Sequence, residues 1–253
     1  MFPSTRFIHV WSRNVRVWRK LAIPSVLGNL ADPLLYMLGL GYGLGSMLPP
    51  MQGGSYVAFL AGGVVCSSTM FTASFEAMYS AFSRMHVQRT WDAIINAPLT
   101  LDDVVLGEWV WAASKSLLSG GAVLLVATAL GLVGSALALL VIPVILLTGL
   151  AFAGMGLIMT ALSPSYDFFM YYFTLAITPM MLLSGVFFPL EQLPAVAQIA
   201  AQVLPLSHAV AVSRPLMNGV VPDHAALHLL VLALYAGVSY SIACVLLRKR
   251  ILK

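Results

Sequence analysis

The chain has 253 residues, 60% of them hydrophobic and only 9% charged, with a formal net charge of +4, whereas soluble domains carry about a quarter charged residues. That balance excludes a water-soluble globular domain and marks an integral membrane protein. The surplus positive charge calls for no nucleic acid, because membrane topology and attraction to anionic lipid account for it. Cys66 and Cys244 both fall in apolar runs and read as small hydrophobes, not as a disulfide or metal pair.

Residues 1–23 are basic and aromatic and have no short apolar core ahead of a small-residue cleavage site, so no signal peptide is expected. On a helix, Phe7, Trp11, Val15, Trp18 and Ala22 share one face and Arg6, His9, Arg13, Arg16 and Lys20 the other. Such a helix lies in the membrane interface, as a lipid anchor or as a surface for a partner. Pro24 is expected to end it or to kink it into the first span. A crossing takes about 20 apolar residues, and six stretches qualify: 24–47, 55–82, 109–133, 136–162, 167–188 and 225–247.

Between the second and third of these stands QRTWDAIINAPLTLDDVVLGE, residues 88–108. Trp91, Ile94 and Ile95 form a short amphipathic face, and Pro98 stops that helix. Thr100 can cap the next one, with Asp102 and Asp103 complementing the dipole of its first turn. The expected element is a short rigid helix, held by a tryptophan at the interface, leading straight into the third span. After the fifth span, residues 189–224 are rich in proline and include an apolar helical stretch near 195–204, too short to cross. This reads as an extracytoplasmic re-entrant or interfacial hairpin.

All of the 13 basic residues except Arg214 flank one side of this arrangement. Lysine and arginine stay preferentially in the cytoplasm, which places both termini and residues 84–103 there. The expected fold class is therefore an all-α integral membrane protein with six transmembrane helices, cytoplasmic termini, an N-terminal interfacial helix and an outer hairpin between helices 5 and 6.

Few residues offer chemistry. No GxxxxGK[ST] phosphate loop occurs, so any ATP must be bound by another chain. The glycines at 39, 41, 43 and 45 lack GxGxxG spacing and read as close helix packing or a flexible outer end. His224 and His228 have no HExxH pattern or third ligand, so no metal is expected. Ser207 and His208 are adjacent and point apart, with no acid to orient the histidine. The intramembrane acids carry more. Asp32 and Glu76 would each sit roughly 10 Å from the cytoplasmic boundary, at about 1.5 Å per residue, where an ionisable group should face protein or water. Phe71, Phe75, Tyr79 and Phe82 follow at helical spacing beside Glu76. With Asp32 and Tyr36 this stripe suits a path for an amphiphile, since aromatic faces stack on sugars and pack on lipid chains. Ordinary helix packing, with both acids bonded to neighbours, remains the alternative.

The basic interfacial helix, NLADPLLYMLGLGYGLG in span 1, QRTWDAIINAPLTLDDVVLGE after span 2, SPSYDFF opening span 5 and LPLSHAVAVSRPLMNG before span 6 together resemble the membrane subunit of type-2 ABC exporters. Within these the chain is most similar to the nodulation protein J group, which exports lipo-chitooligosaccharide signals. The resemblance covers essentially the whole chain as one transmembrane domain, 1–253. It implies a homodimer in the bacterial inner membrane, working with two copies of a cytoplasmic ATPase that binds ATP and Mg, on a lipid-linked saccharide or similar amphiphile. It also implies that residues 84–103 contain the coupling helix, with Arg89, Trp91, Asp92, Ile95, Pro98 and Leu99 contacting the ATPase. An exporter of drugs or other hydrophobic molecules is the nearest alternative. A membrane-embedded enzyme using Glu76, Asp32 or the outer histidines on lipid is the alternative from another class.

Overall fold

The computed structural model describes residues 4–47 and 55–252. Residues 1–3 of the interfacial segment and Lys253 of the basic C-terminus lie outside the described residues. Within them every regular element is helical. Helix α1 (Phe7–Arg19) is followed at once by α2 (Ala22–Gly45), so the first helix already ends before Pro24, which falls in the first turn of α2, where its missing amide hydrogen costs little. Helix α3 (Tyr56–Val87) is capped by Ser55, whose hydroxyl accepts from the Ala58 amide at 3.3 Å. It widens into π turns at Glu76–Ser80 and Ser83–Val87 and so runs past the expected end at 82. The short α4 (Thr90–Ile95) and the long α5 (Leu101–Ala129) follow, then α6 (Ala136–Leu162).

Five helices among the described residues are long and apolar enough to cross a membrane: α2, α3, α5, α6 and the last, Ala225–Ile251. The stretch expected to be the fifth span instead forms α7 (Asp167–Leu183), short of the about 20 residues a straight crossing takes. It stops early because Gly185 takes φ +72, a left-handed conformation that glycine adopts without strain, and Pro189 follows. Next come α8 (Ala195–Ala201) and α9 (Pro205–Met217), bent by 86° to each other, before α10 (Ala225–Ile251). The α8–α9 pair can count as a sixth apolar crossing only as a broken one.

Helix α3 stands at the centre, against α5, α6 and α9, and α10 packs mainly on α6. Small residues let these helices approach closely, as they do in lipid, where packing takes over from hydrophobic attraction. A Cβ added at Gly156 of α6 would lie 2.8 Å from the Ala77 Cβ of α3. Of the four glycines near the end of α2, Gly41 and Gly45 face Val57 and Tyr56 of α3, while Gly39 and Gly43 meet open space. The packing reading therefore fits two of the four. Helix α1 buries Val10 and Asn14 against α5, with Trp11 donating to the Ser114 hydroxyl at 3.1 Å.

Candidate functional site

The N-terminal segment, the α3–α5 connection, the turn after α6 and the end of α10 meet at one end of the bundle. Asp103 closes a capping box with Thr100 and also accepts from the Ser4 amide and hydroxyl at 2.9 and 3.0 Å. Arg6 donates to the Pro98 carbonyl at 2.8 Å, and Arg248 pairs with Asp102. Arg250 donates to the carbonyls of Thr160, Ala161 and Ser163 at 2.8, 3.0 and 2.6 Å, filling the acceptors that the last turn of α6 leaves open.

The 84–103 segment enters α4 through Arg89, whose φ of 50 lies in the left-handed region, while the Thr90 hydroxyl donates to the Arg84 carbonyl at 2.9 Å. Arg89, Asp92 and Pro98 are exposed, and Ile95 and Leu99 half-buried. Trp91 is not at the interface as expected. It is 0% exposed and donates through Nε1 to Glu108 Oε1 at 3.2 Å, so it pins the segment from beneath and offers no outer surface.

Beneath Trp91 lies a closed set of charges. Arg84 donates to Glu108 through Nε at 2.9 Å and Nη2 at 2.5 Å, and through Nη2 to Glu76 at 2.9 Å. Glu76 also accepts from Trp111 Nε1 at 2.7 Å and from Lys115 Nζ at 2.8 Å. Two carboxylates face two cations, which meets the requirement that buried charge be paired and hydrogen-bonded. The Trp18 ring of α1 stands edge-on to Trp111, with centroids 6.1 Å apart. Helix α1 thereby covers the cluster, and burial lowers the pKa of its Arg13, opposed by the attraction of Glu108 and aided by the repulsion of Arg84. The set was only partly legible in the sequence. Arg84 and Lys115 count there towards topology alone, yet Glu108, Trp111 and Lys115 recur at i, i+3 and i+7 on one helix face, a polar row in an apolar helix and a usable signal.

The proposed path residues divide. Asp32, Tyr36, Phe71 and Phe75 line one cavity of about 310 Å³ between α2 and α3, together with polar Asn29 and Thr72. Pro33 has no amide hydrogen to donate to the Asn29 carbonyl one turn earlier. Asp32 is exposed, and an acid so placed in an apolar helix requires protein or water against it. Glu76 and Tyr79 do not line this cavity. Glu76 points into the charge cluster, and Tyr79 stacks on Phe75 (4.5 Å), Tyr166 (6.0 Å) and Phe173 (6.2 Å). The aromatic stripe is thus continued by α7 into a ladder that sequence spacing on α3 alone did not reveal.

At the opposite end, α9 is held by Arg214, which donates to the carbonyls of Phe59 at 3.1 Å and Gly185 at 2.6 Å and lies over the Phe59 ring. His208 and His228 approach at 2.7 Å between their Nδ1 atoms, and His208 Nε2 reaches the Gln202 carbonyl at 3.0 Å. The partner of His228 is thus His208, not His224.

Residues 5–218 match the family of ABC-2 type transporters. Nodulation protein J of Rhizobium meliloti is 48% identical over 246 residues, covering 97% of this chain and 94% of its own. Nodulation protein J of Bradyrhizobium diazoefficiens is 48% identical over 244 residues, covering 96% and 93%. The inner membrane transport permease YadH of Escherichia coli is 24% identical over 200 residues, covering 73% and 72%. With its long apolar helices and this match over most of its length, the chain is a multi-pass membrane protein that belongs to the ABC-2 type transporter family.

Proposed function

We propose that this chain is the permease of an ATP-driven exporter that moves a lipid-linked saccharide, of the lipo-chitooligosaccharide kind, out across a bacterial inner membrane. Similarity to Nodulation protein J at 48% identity over nearly the full length carries the reading. Two copies of the chain face each other across the cavity walls of α2 and α3, giving Asp32 the protein or water contact it needs. Two copies of a separate cytoplasmic ATPase bind ATP and Mg and seat the exposed face of 84–103, through Arg89, Asp92, Ile95, Pro98 and Leu99. In this orientation the end carrying both termini is cytoplasmic, as the distribution of basic residues favours, and α8–α9 forms the outer re-entrant hairpin. Phe71, Phe75 and Tyr36 supply stacking faces for sugar rings, with Asp32 and Asn29 beside them for hydroxyls. The three hydrogen bonds that Glu76 accepts from Arg84, Trp111 and Lys115 argue against a lipid-modifying enzyme built on that carboxylate.

The test is purification of the tagged chain from its native membrane in mild detergent, with native mass measurement, followed by extrusion assays in inside-out vesicles. A two-plus-two complex with an ATPase and ATP-dependent uptake of a lipo-chitooligosaccharide into the vesicles is the expected result. A stable complex with no nucleotide-binding partner would overturn the reading. ATP-driven movement of hydrophobic drugs but not of the saccharide would turn it to the broader exporter class.

A further inference from the structure

The buried charge cluster is larger than helix packing requires. It joins α3, α4 and α5 through Arg84 and Glu108, and those elements end on two different surfaces. Glu108 of α5 holds Trp91 from below, so it is fixed to the segment whose outer face is exposed. Glu76 opens the π turn of α3, and its chain neighbour Phe75, like Thr72 one turn earlier, lines the cavity. Arg84 bridges the two carboxylates, with Nε and Nη2 on Glu108 at 2.9 and 2.5 Å and Nη2 on Glu76 at 2.9 Å. We propose that Arg84 is a positioning residue that ties the Trp91 segment to the Glu76 turn, so that displacement of α4 moves the cavity wall at Phe75.

Three features make this link stiff in one direction and yielding in another. The guanidinium is a planar fork that fixes both partners in orientation, which a lysine ammonium cannot do. Trp111 on the same Glu76 oxygen as Arg84, and Lys115 on the other, also hold Glu76 to α5, so the carboxylate moves with α5 and does not simply swing free. The backbone between Glu76 and Val87 holds two π turns, Glu76–Ser80 and Ser83–Val87, a form that occurs mostly as single-turn bulges inside α-helices, frequently at functional sites. One carbonyl of the first turn, Ala77, is satisfied from outside by the Thr160 hydroxyl at 2.7 Å. A pull on Glu108 therefore reaches the π turn through side chains, and the π turn is where the helix gives.

The proposal rests on the transporter reading, and the test separates the two. Phe75→Cys is placed in a Cys66→Ala, Cys244→Ala background, and the full complex is kept in inside-out native membrane vesicles. The rate of modification at position 75 by a membrane-impermeant maleimide is measured without nucleotide and with ATP plus orthovanadate. Coupling between distant sites commonly amounts to about 5-fold or more, so the parent's rate should change by about that factor. Mutations in a coupling network shift the coupling by roughly 2- to 30-fold, so Arg84→Lys and Glu108→Gln should reduce the change to within about 2-fold, while the co-purified ATPase stays at parental amount. Trp91→Phe removes the Glu108 link without touching any charge and should also flatten the response. A nucleotide response preserved in Arg84→Lys and Trp91→Phe would overturn the relay, as would a parent whose position 75 ignores nucleotide. The transporter reading is judged separately, by ATP-dependent saccharide uptake in vesicles of the unmodified protein.

Discussion

Replacing Trp91 measures how firmly the α3–α5 connection is held. The side chain is fully enclosed, and its only polar atom donates to Glu108. Truncation of such a residue costs about 3–5 kcal/mol, from lost transfer energy and the cavity left behind. Trp91→Phe keeps most of the ring but forfeits a hydrogen bond to a charged acceptor, about 1.5–3 kcal/mol. Both losses fall on the local opening of the segment and not on the whole bundle, since α4 contacts mainly its neighbours α5 and the end of α3. At about 1.4 kcal/mol per factor of ten, the open population rises roughly 100- to 4,000-fold for alanine and about 10- to 100-fold for phenylalanine. Trypsin cleavage after the exposed Arg89 reports this population when reclosing outruns cleavage. The assay is initial-rate proteolysis of the detergent-solubilised protein, with cleavage at Arg16 and Arg19 of α1 as an internal control. Equal cleavage after Arg89 in parent and Trp91→Ala would refute the reasoning that Trp91 is the pin.

Gly107→Ala would set a Cβ 2.6 Å from the Val10 Cβ and 3.1 Å from the Phe7 carbonyl; α1 should lift from α5 at a cost of about 1–3 kcal/mol, read as reduced crosslinking between Trp11→Cys and Ser114→Cys. Arg250→Ala removes three hydrogen bonds to the end of α6 and should lower the thermal midpoint in detergent, at about 1 kcal/mol for each bond; an unchanged midpoint would show that solvent replaces them freely. Asp103→Ala takes away both the capping box and the Ser4 contacts, worth about 1–2 kcal/mol, and should expose the N-terminal segment to aminopeptidase. Asp32→Leu should abolish ATP-dependent export while leaving the amount of assembled complex unchanged; normal export would remove Asp32 from the path.

Several features were legible along the chain because their causes are local. Pro98 and Thr100 mark where one helix stops and the next begins, and the capping box forms as the residue types dictate. Apolar runs of sufficient length gave the crossings of α2, α3, α5, α6 and α10. Other features depend on how each helix is rotated about its own axis, and a helix that is apolar all round carries no periodic signal for that rotation. Phe75 faces the cavity while Glu76 turns to Arg84 and Lys115, two neighbours on one helix assigned to opposite surroundings. Trp91 is written as an interfacial tryptophan but is buried, because Glu108, well along the next helix, comes to lie beneath it. The seating of α9 on the turn after α7 was also hidden, since the clasp of Arg214 on the Gly185 carbonyl joins residues far apart in sequence. By itself the sequence determined membrane residence, the five long apolar helices α2, α3, α5, α6 and α10, and the boundary at Pro98 and Thr100 between α4 and α5. Only the tertiary structure decided which polar groups meet, because pairing buried charges and filling small-residue contacts select one set of helix rotations from the many that an apolar surface would tolerate.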